Sequence, residues 1–251
     1  MQVAAPIFLL ILTRLKMPVS TTFLLLSCFA TGAKGFGSMV IKSMGGYVIA
    51  FVVSGIFFFF AGKPMQNLWF EAAEDGQKGF ERKAIAPAVY WLPILWVTSG
   101  LLWSIWLMQN TANIAVYLPR SLNWWQLLMF MFPIVVGLAL IMQMGGDKVQ
   151  EIVEKKSGVS DIRMASVINF IYGAILFVFQ VLSKVPMSTT WVFVGLLAGR
   201  ELAMSFHELS SNNMKGAWKL VASDFFKVGT GFVVSIAIAA ASNKVVRDSL
   251  F

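Results

Sequence analysis

An all-α polytopic membrane protein is what three features of this sequence predict. Hydrophobic residues make up 58% of the 251 residues and charged ones 13%, about half the charged share of an average soluble chain. Mean hydropathy is +0.75. Apolar segments fall near 18–33, 45–61, 86–108, 122–143, 165–183, 186–206 and 220–241, most of them close to the about 20 residues of a bilayer-crossing helix. The third feature is a block that recurs in two halves of the chain. Such a composition excludes soluble enzymes, nucleic-acid readers and disordered linkers, so no nucleic-acid partner is expected. The net charge of +8 then reads as Lys and Arg in the loops of an integral membrane protein. Cys28 is the single cysteine and His207 the single histidine. An internal disulfide, a Cys-based metal site and a His cluster are therefore excluded. No nucleophile–base or metal constellation stands in the apolar segments, so the expectation is no enzyme, no catalytic residue and no cofactor.

Residues 3–12 are apolar with no preceding cation, and Arg14 and Lys16 follow. That order does not match a signal peptide, and the chain reads as beginning partway through a helix. Beyond it, the loops around 62–85 and 144–164 hold Lys63, Lys78, Arg82, Lys83, Lys148, Lys155, Lys156 and Arg163, whereas those around 34–44 and 109–121 hold Lys34, Lys42 and Arg120. The richer pair is expected in the cytoplasm. Trp91, Trp103, Trp106, Trp124 and Trp125 lie near segment ends, as interface anchors or as core.

Lys16-Met17-Pro18-Val19-Ser20-Thr21-Thr22-Phe23 matches Lys184-Val185-Pro186-Met187-Ser188-Thr189-Thr190-Trp191 at an offset of 168, 184 − 16. Phe51-Val52-Val53-Ser54 recurs as Phe232-Val233-Val234-Ser235 at an offset of 181, 232 − 51. Matching Pro-interrupted segments in two halves point to a transporter built from internal repeats. Proline fits a first helical turn, where its missing N–H costs nothing. The unused N–H groups of such a turn carry partial positive charge and can face an anion. Ser20, Thr21, Thr22, Ser188, Thr189 and Thr190 add hydroxyls that donate to an oxyanion or offer lone pairs to a cation. Capping and back-bonding to their own helix is the plainer role for these side chains, and the duplication in register weighs against it. Ser27 and Thr31, paired by the repeat with Gly195 and Gly199, are small residues four apart, a pattern that lets membrane helices approach closely.

The doubled Pro-x-Ser-Thr-Thr resembles the paired signature of inorganic phosphate transporters of the PiT type, the sodium- or proton-coupled phosphate permeases. Leu107-Met108-Gln109-Asn110-Thr111-Ala112-Asn113-Ile114 resembles a degraded copy of the family's Gly-Ala-Asn-Asp-x-Ala-Asn-Ala motif, and Gly146-Asp147-Lys148-Val149 is similar to the stretch that follows it. The resemblance covers nearly the whole chain as the later part of a family member, with the first Asn-Asp motif falling before residue 1. It implies alternating access, with inverted repeats around a phosphate site near the bilayer midplane. Ser20, Thr21, Thr22, Ser188, Thr189 and Thr190 would line the phosphate and ion sites. Gln109, Asn110 and Asn113 would be the ion-coupling residues, Asn110 at the position of the motif's Asp. An Asn carbonyl offers oxygen to Na⁺ but no charge, so coupling is expected to weaken there. Phe23 and Trp191 stand where the family often has His. The expected partners are inorganic phosphate, Na⁺ or H⁺ and the lipid bilayer, with a homo-oligomer compatible and no metal beyond a transported Na⁺. The expected location is the cell membrane, the bacterial inner membrane in particular. Sulfate and other tetrahedral oxyanions stay open.

The implied organisation is the end of a first repeat over 1–61 (hairpin 18–33, helix 45–61), a charged cytoplasmic loop over 62–85, and a second repeat over 86–251 (motif 107–114, hairpin 186–206, last helix 220–241). Taken as single crossings, the four apolar segments between the two copies put both on one face. Inverted repeats need opposite faces, so a miscounted span near 109–143 is expected. Asp224 and Lys227 read as a helix-surface pair or an ion relay, Arg200 as an interfacial snorkelling side chain or an anion ligand, and His207 as solvated. Lys16 and Lys184 either steer anions or mark the interface.

The function these features imply is secondary transport of inorganic phosphate. The alternative is a degenerate, non-transporting membrane subunit of the same family, which the neutral Asn110 favours. Asn110→Asp is expected to strengthen the Na⁺ dependence of phosphate uptake in proteoliposomes; an unchanged dependence would take this position out of the ion site.

Overall fold

The chain is an all-α polytopic membrane protein. The structure, a computed structural model, describes residues 7, 11, 20, 33–71, 85–115, 121–144, 161–183, 188–210, 212–243 and 247–248. The long helices among them are α1 (Ala33–Trp69), α2 (Leu92–Ala115), α3 (Trp124–Gln143), α4 (Ile162–Ser183), α5 (Thr189–Phe206) and α6 (Met214–Ser242), with a 3-10 turn at Ala88–Trp91 leading into α2. No strand occurs among the described residues. Val40–Trp69, Val89–Met108, Ile162–Phe179 and Met214–Ala241 are long and apolar enough to cross a membrane.

Several helices outrun their apolar segments. The stretches 34–44 and 62–69, expected as loops, belong to α1, and the backbone of 109–115 belongs to α2. Lysine is a good helix former with a stem long enough to carry its charge to the membrane boundary, so a cation does not end a helix. For the same reason α6 begins at Met214, before Lys215 and Lys219. Asn213 caps it, its Oδ1 accepting from the Gly216 amide at 2.8 Å.

Helix directions follow from pairs of touching residues. Along α1 and α5, Ser43 meets Ser188, Tyr47 meets Gly195, Phe51 meets Gly199 and Phe59 meets Phe206, so the two run parallel. Their backbones are nearly in contact. A Cβ on Gly195 would lie 2.3 Å from the Tyr47 carbonyl oxygen, and one on Gly199 would lie 2.1 Å from that of Phe51. The Ser54 hydroxyl crosses the seam to the Leu196 carbonyl at 2.7 Å. Only glycine permits this approach, and such small-residue seams are where membrane helices gain dispersion contact. Helix α6 returns antiparallel to α5, with the Trp191 and Phe232 rings 5.2 Å apart. The chain reverses after α5 through a Schellman turn. The Leu209 amide donates to the Met204 carbonyl at 2.8 Å and the Glu208 amide to Ser205 at 3.2 Å, with Glu208 at φ 57°. The described part of 186–206 is thus one helix, and α5 with α6 makes the hairpin.

The second pair is α2 and α4. Asn169 Nδ2 donates to Ser99 Oγ at 2.9 Å, and Gly173 lies against Leu102, so these helices are also parallel. Parallel α2 and α4 require residues 116–161 to carry the chain back, and α3 lies within that stretch. Of the four segments between the two copies, three lie on helices long and apolar enough to cross a membrane, and the one near 109–143 carries among the described residues the shorter apolar stretch Trp124–Gly137. Orientation comes instead from α1 and α6, which carry the two copies of Phe-Val-Val-Ser. One runs parallel and the other antiparallel to α5, so the copies point in opposite directions.

Arg163 joins the pairs. Counted from sequence as a loop cation, it is buried. Its Nη1 donates to the Trp69 carbonyl and its Nη2 to the Ala86 carbonyl, both at 2.9 Å, with the guanidinium 4.9 Å from the centre of the Phe70 ring. A helix ends with unused carbonyls that favour a cation, so this arginine closes α1 while holding the start of α4 against it. Around it packs a core of Phe58, Met164, Ile168, Leu176, Leu196 and Met204.

Gly199→Ala is expected to lower stability by about 1–3 kcal/mol or more through overpacking. Gly100→Ala, where a Cβ meets nothing within 4 Å, is expected to be neutral or stabilising. Thermal unfolding of purified protein in detergent, followed by circular dichroism, checks both.

Candidate functional site

Helix α5 begins where the second Pro-Met-Ser-Thr-Thr copy ends. Ser188 is its N-cap, in extended conformation, and its Oγ accepts from the Trp191 amide at 3.2 Å. The Ser188 amide in turn donates to Ser43 Oγ of α1 at 3.3 Å. The capping role weighed against a ligand role is therefore real for Ser188. It does not extend to the two threonines. The amides of Thr189 and Thr190 fall in the first turn, where a helix leaves N–H groups unused. Neither these amides nor the Thr190 hydroxyl has a hydrogen-bond partner among the described residues, whereas the Thr189 hydroxyl meets the Tyr172 hydroxyl.

The surroundings are closed. Ser188, Thr189, Trp191 and Ser43 are buried, and Thr190 is half-buried. Tyr172 of α4 reaches in from the opposite side, its hydroxyl donating to the Thr189 carbonyl at 2.9 Å and its ring 5.3 Å from Phe193. Tyr47 of α1 and Val228 of α6 pack with Trp191 behind the turn. Two amides and the Thr190 hydroxyl thus stand at one helix start in a largely dry setting, where a charge-assisted hydrogen bond to an anion is strong. Ser43 stands three residues into the candidate span Val40–Trp69. The turn therefore lies toward the N-terminal end of α1.

The other expected site residues are placed unevenly. Ser20 is buried, whereas Thr21 and Thr22 lie outside the described residues. Gln109, Asn110 and Asn113 fall within the last two turns of α2; their side chains lie outside the description. Among the described residues, no three His, Cys, Asp or Glu side chains group as a metal site.

Three polar residues differ from expectation. Arg200 does not snorkel: it is buried, 3.8 Å from Glu201 Oε2 and 5.9 Å from the centre of the Phe58 ring. Burial is affordable there because a carboxylate and an aromatic face stand beside the charge. Glu201 Oε1 accepts from Ser210 Oγ at 2.6 Å and Asn212 Nδ2 at 2.8 Å, fastening the turn between α5 and α6. His207 is not simply solvated, since its Nε2 lies 2.7 Å from the Phe59 carbonyl oxygen of α1. The sequence reading missed Ser43 and Tyr172 altogether. Neither belongs to a repeated motif, and their role depends on contacts 145 and 17 residues away in the chain.

Set against protein-family models, curated proteins and solved structures, the chain finds no match in any of the three.

Ser43→Ala is expected to leave the buried Ser188 amide without its acceptor, at a cost of about 1–3 kcal/mol. Amide hydrogen exchange at Ser188 should accelerate while exchange in the middle of α5 stays slow; unchanged protection at Ser188 would contradict the contact.

Proposed function

We propose that this chain is a secondary membrane transporter of inorganic phosphate, of the PiT type and coupled to Na⁺ or H⁺. The first turn of α5 forms one half of its anion site. The observation that carries this reading is the state of that turn. Ser188 caps it, Ser43 takes the Ser188 amide, Tyr172 meets the Thr189 hydroxyl, and the Thr189 and Thr190 amides with the Thr190 hydroxyl remain for a ligand. A tetrahedral oxyanion matches such a set, because each oxygen accepts two or more hydrogen bonds and its charge meets the positive end of the helix.

Two further observations support transport over static binding. The Pro-x-Ser-Thr-Thr block occurs twice, so the sequence supplies a second set of the same hydroxyls. The two Phe-Val-Val-Ser helices, α1 and α6, run in opposite directions, as alternating access between inverted repeats requires. Coupling needs a cation site, and the neutral Asn110 brings no charge to one. A buried carboxylate does stand on α6: Asp224, at the position that the 181 offset pairs with Ser43 (43 + 181). In this reading Asp224 supplies the negative charge that the cation neutralises when the anion enters. The competing reading is a membrane subunit of the same architecture that does not transport, and Asn110 is the residue that favours it.

Radiolabelled phosphate uptake by proteoliposomes, with and without a Na⁺ gradient and a pH gradient, tests the proposal. Gradient-driven uptake is expected, competed by excess unlabelled phosphate more strongly than by sulfate. Thr189→Val keeps the side-chain shape and removes one donor, so uptake at low phosphate should fall roughly tenfold, the effect of about 1.4 kcal/mol. Absence of uptake by folded protein would favour the non-transporting subunit, and full uptake by Thr189→Val would remove this turn from the site.

A further inference from the structure

Two offsets in the sequence turn one observed contact into a second. The motif repeats at an offset of 168 and the Phe-Val-Val-Ser helices at 181. Ser188 is thus the counterpart of Ser20 (188 − 168), and Ser43 that of Asp224 (43 + 181). Repeats that point in opposite directions are related by a twofold axis, and a contact between two residues then recurs between their counterparts. The Ser188 amide donates to Ser43 Oγ at 3.3 Å. The counterpart contact brings the Ser20 end of the first Pro-Val-Ser-Thr-Thr copy to Asp224. Ser20 is 4% exposed and Asp224 9%, the burial that such a contact requires. The offset of 181 also has support in packing. A residue meets its own counterpart only where the axis passes between them. Tyr47 and Val228 are counterparts (47 + 181), and both belong to one packed cluster with Trp191. The Tyr47 and Phe225 rings stand 5.8 Å apart, so α1 and α6 lie against each other at this level. Asp224, one turn from Val228, belongs to the buried stripe Ala217, Val221, Asp224 and Val228 of α6, and its charge reaches the Tyr47 hydroxyl.

We infer that Asp224 anchors the first motif copy as Ser43 anchors the second, its carboxylate accepting from N–H donors at the Ser20 end, and that a proton loosens this anchor. An ionised carboxylate is the stronger acceptor, and protonation weakens the hold. Asp224 stands within the candidate span Met214–Ala241, where an ionised side chain is costly and a bound proton removes the cost. Its stripe neighbours Ala217, Val221 and Val228 bring no side-chain oxygen. That suits a proton, which needs one carboxylate oxygen, better than a metal cation, which needs several. Among the described residues, the titratable and charged groups around it are Tyr47 of α1 and the half-buried Lys227 three residues on, while Arg200 and Glu201 of α5 pair with each other. Ser43 carries no charge at any working pH, so only the first of the two anchors responds to protons. The coupling ion is then H⁺ and Asp224 its positioning carboxylate, a step that rests on the transport reading, whereas the contact itself does not.

The test uses the full chain in lipid vesicles. With Cys28→Ser removing the single cysteine, mild oxidation should cross-link the double variant Ser20→Cys/Asp224→Cys, as it should Ser43→Cys/Ser188→Cys, whose contact is observed. Cross-linking of the second pair alone would overturn the anchor. Asp224→Asn keeps the shape and serves where the double variant does not fold. The infrared difference between acid and alkaline buffer should contain the carbonyl band of a protonated carboxylic acid in wild type and lose it in Asp224→Asn; a band that survives the substitution would overturn the titration of Asp224. Phosphate uptake links the anchor to transport. Where proton binding limits the rate, wild-type uptake should change roughly tenfold per pH unit. Asp224→Asn should flatten that slope, and Ser43→Ala should keep it whatever its rate. A slope retained in Asp224→Asn would overturn the proton role and leave the contact standing. Folded wild type that takes up no phosphate would overturn the transport reading and H⁺ coupling with it, while the cross-link and the infrared band still decide the anchor.

Discussion

The backbone contact between α1 and α5 is what the rest of this structure depends on. In a bilayer the hydrophobic effect does not press helices together, because lipid tails are as apolar as leucine. Association has to come from close packing and from hydrogen bonds between helices. Gly195 and Gly199 let two backbones meet at the Tyr47 and Phe51 carbonyls, and Ser54 bonds across the seam to Leu196. That contact fixes the register of α5 against α1, and the register is what brings Ser188 to Ser43 at the far end. A shift of one residue along the seam would place a side chain where only hydrogen fits and would carry the first turn of α5 away from its partner. The site geometry is thus a consequence of two glycines located two and three turns away from it.

Buried charge is handled by a related economy. Arg163 lies inside the protein because helix α1 ends there with carbonyls that need donors, and the guanidinium supplies them to Trp69 and Ala86 at once. Arg200 lies inside because Glu201 and Phe58 flank it. Glu201 meanwhile holds Ser210 and Asn212, so the reversal from α5 to α6 is tied to the helix that carries the site. Within a membrane such polar contacts are scarce, and those from Arg163 to Trp69 and Ala86 and from Glu201 to Ser210 and Asn212 join separate elements.

Much of the fold was legible because membrane helices announce themselves by length and apolarity. The segments near 86–108, 122–143, 165–183, 186–206 and 220–241 all correspond to helices. The small residues at 195 and 199 were legible as a packing face, and they form one. The ends of helices were not, since Lys34, Lys42 and Lys63 look like loop residues when charge alone is counted, although lysine neither breaks a helix nor needs to leave it. The fates of Arg163 and Arg200 were not legible either: whether an arginine snorkels or is enclosed depends on which carbonyl, carboxylate or ring a distant element presents. At the site, the motif pointed to Ser188, Thr189 and Thr190, and the structure divides their labour. Ser188 serves the helix, the Thr189 side chain meets Tyr172, and the two threonine amides have no partner among the described residues. Ser43 and Tyr172 complete the turn from other helices, and nothing in their local sequence marks them.

The central claim is that the first turn of α5 holds phosphate through the Thr189 and Thr190 donors. Its most direct measurement is the dipolar coupling between the ³¹P of bound phosphate and the ¹⁵N of the Thr190 amide, read by solid-state magnetic resonance on protein in lipid. An N–H donating to a phosphate oxygen puts the two nuclei about 4 Å apart, given a nitrogen–oxygen separation near 2.9 Å. The account predicts clear dephasing of the Thr190 nitrogen at that distance, retained in the presence of sulfate, lost when phosphate is washed out and recovered when phosphate is returned. Saturating phosphate that leaves the Thr190 nitrogen without any phosphorus coupling would contradict it.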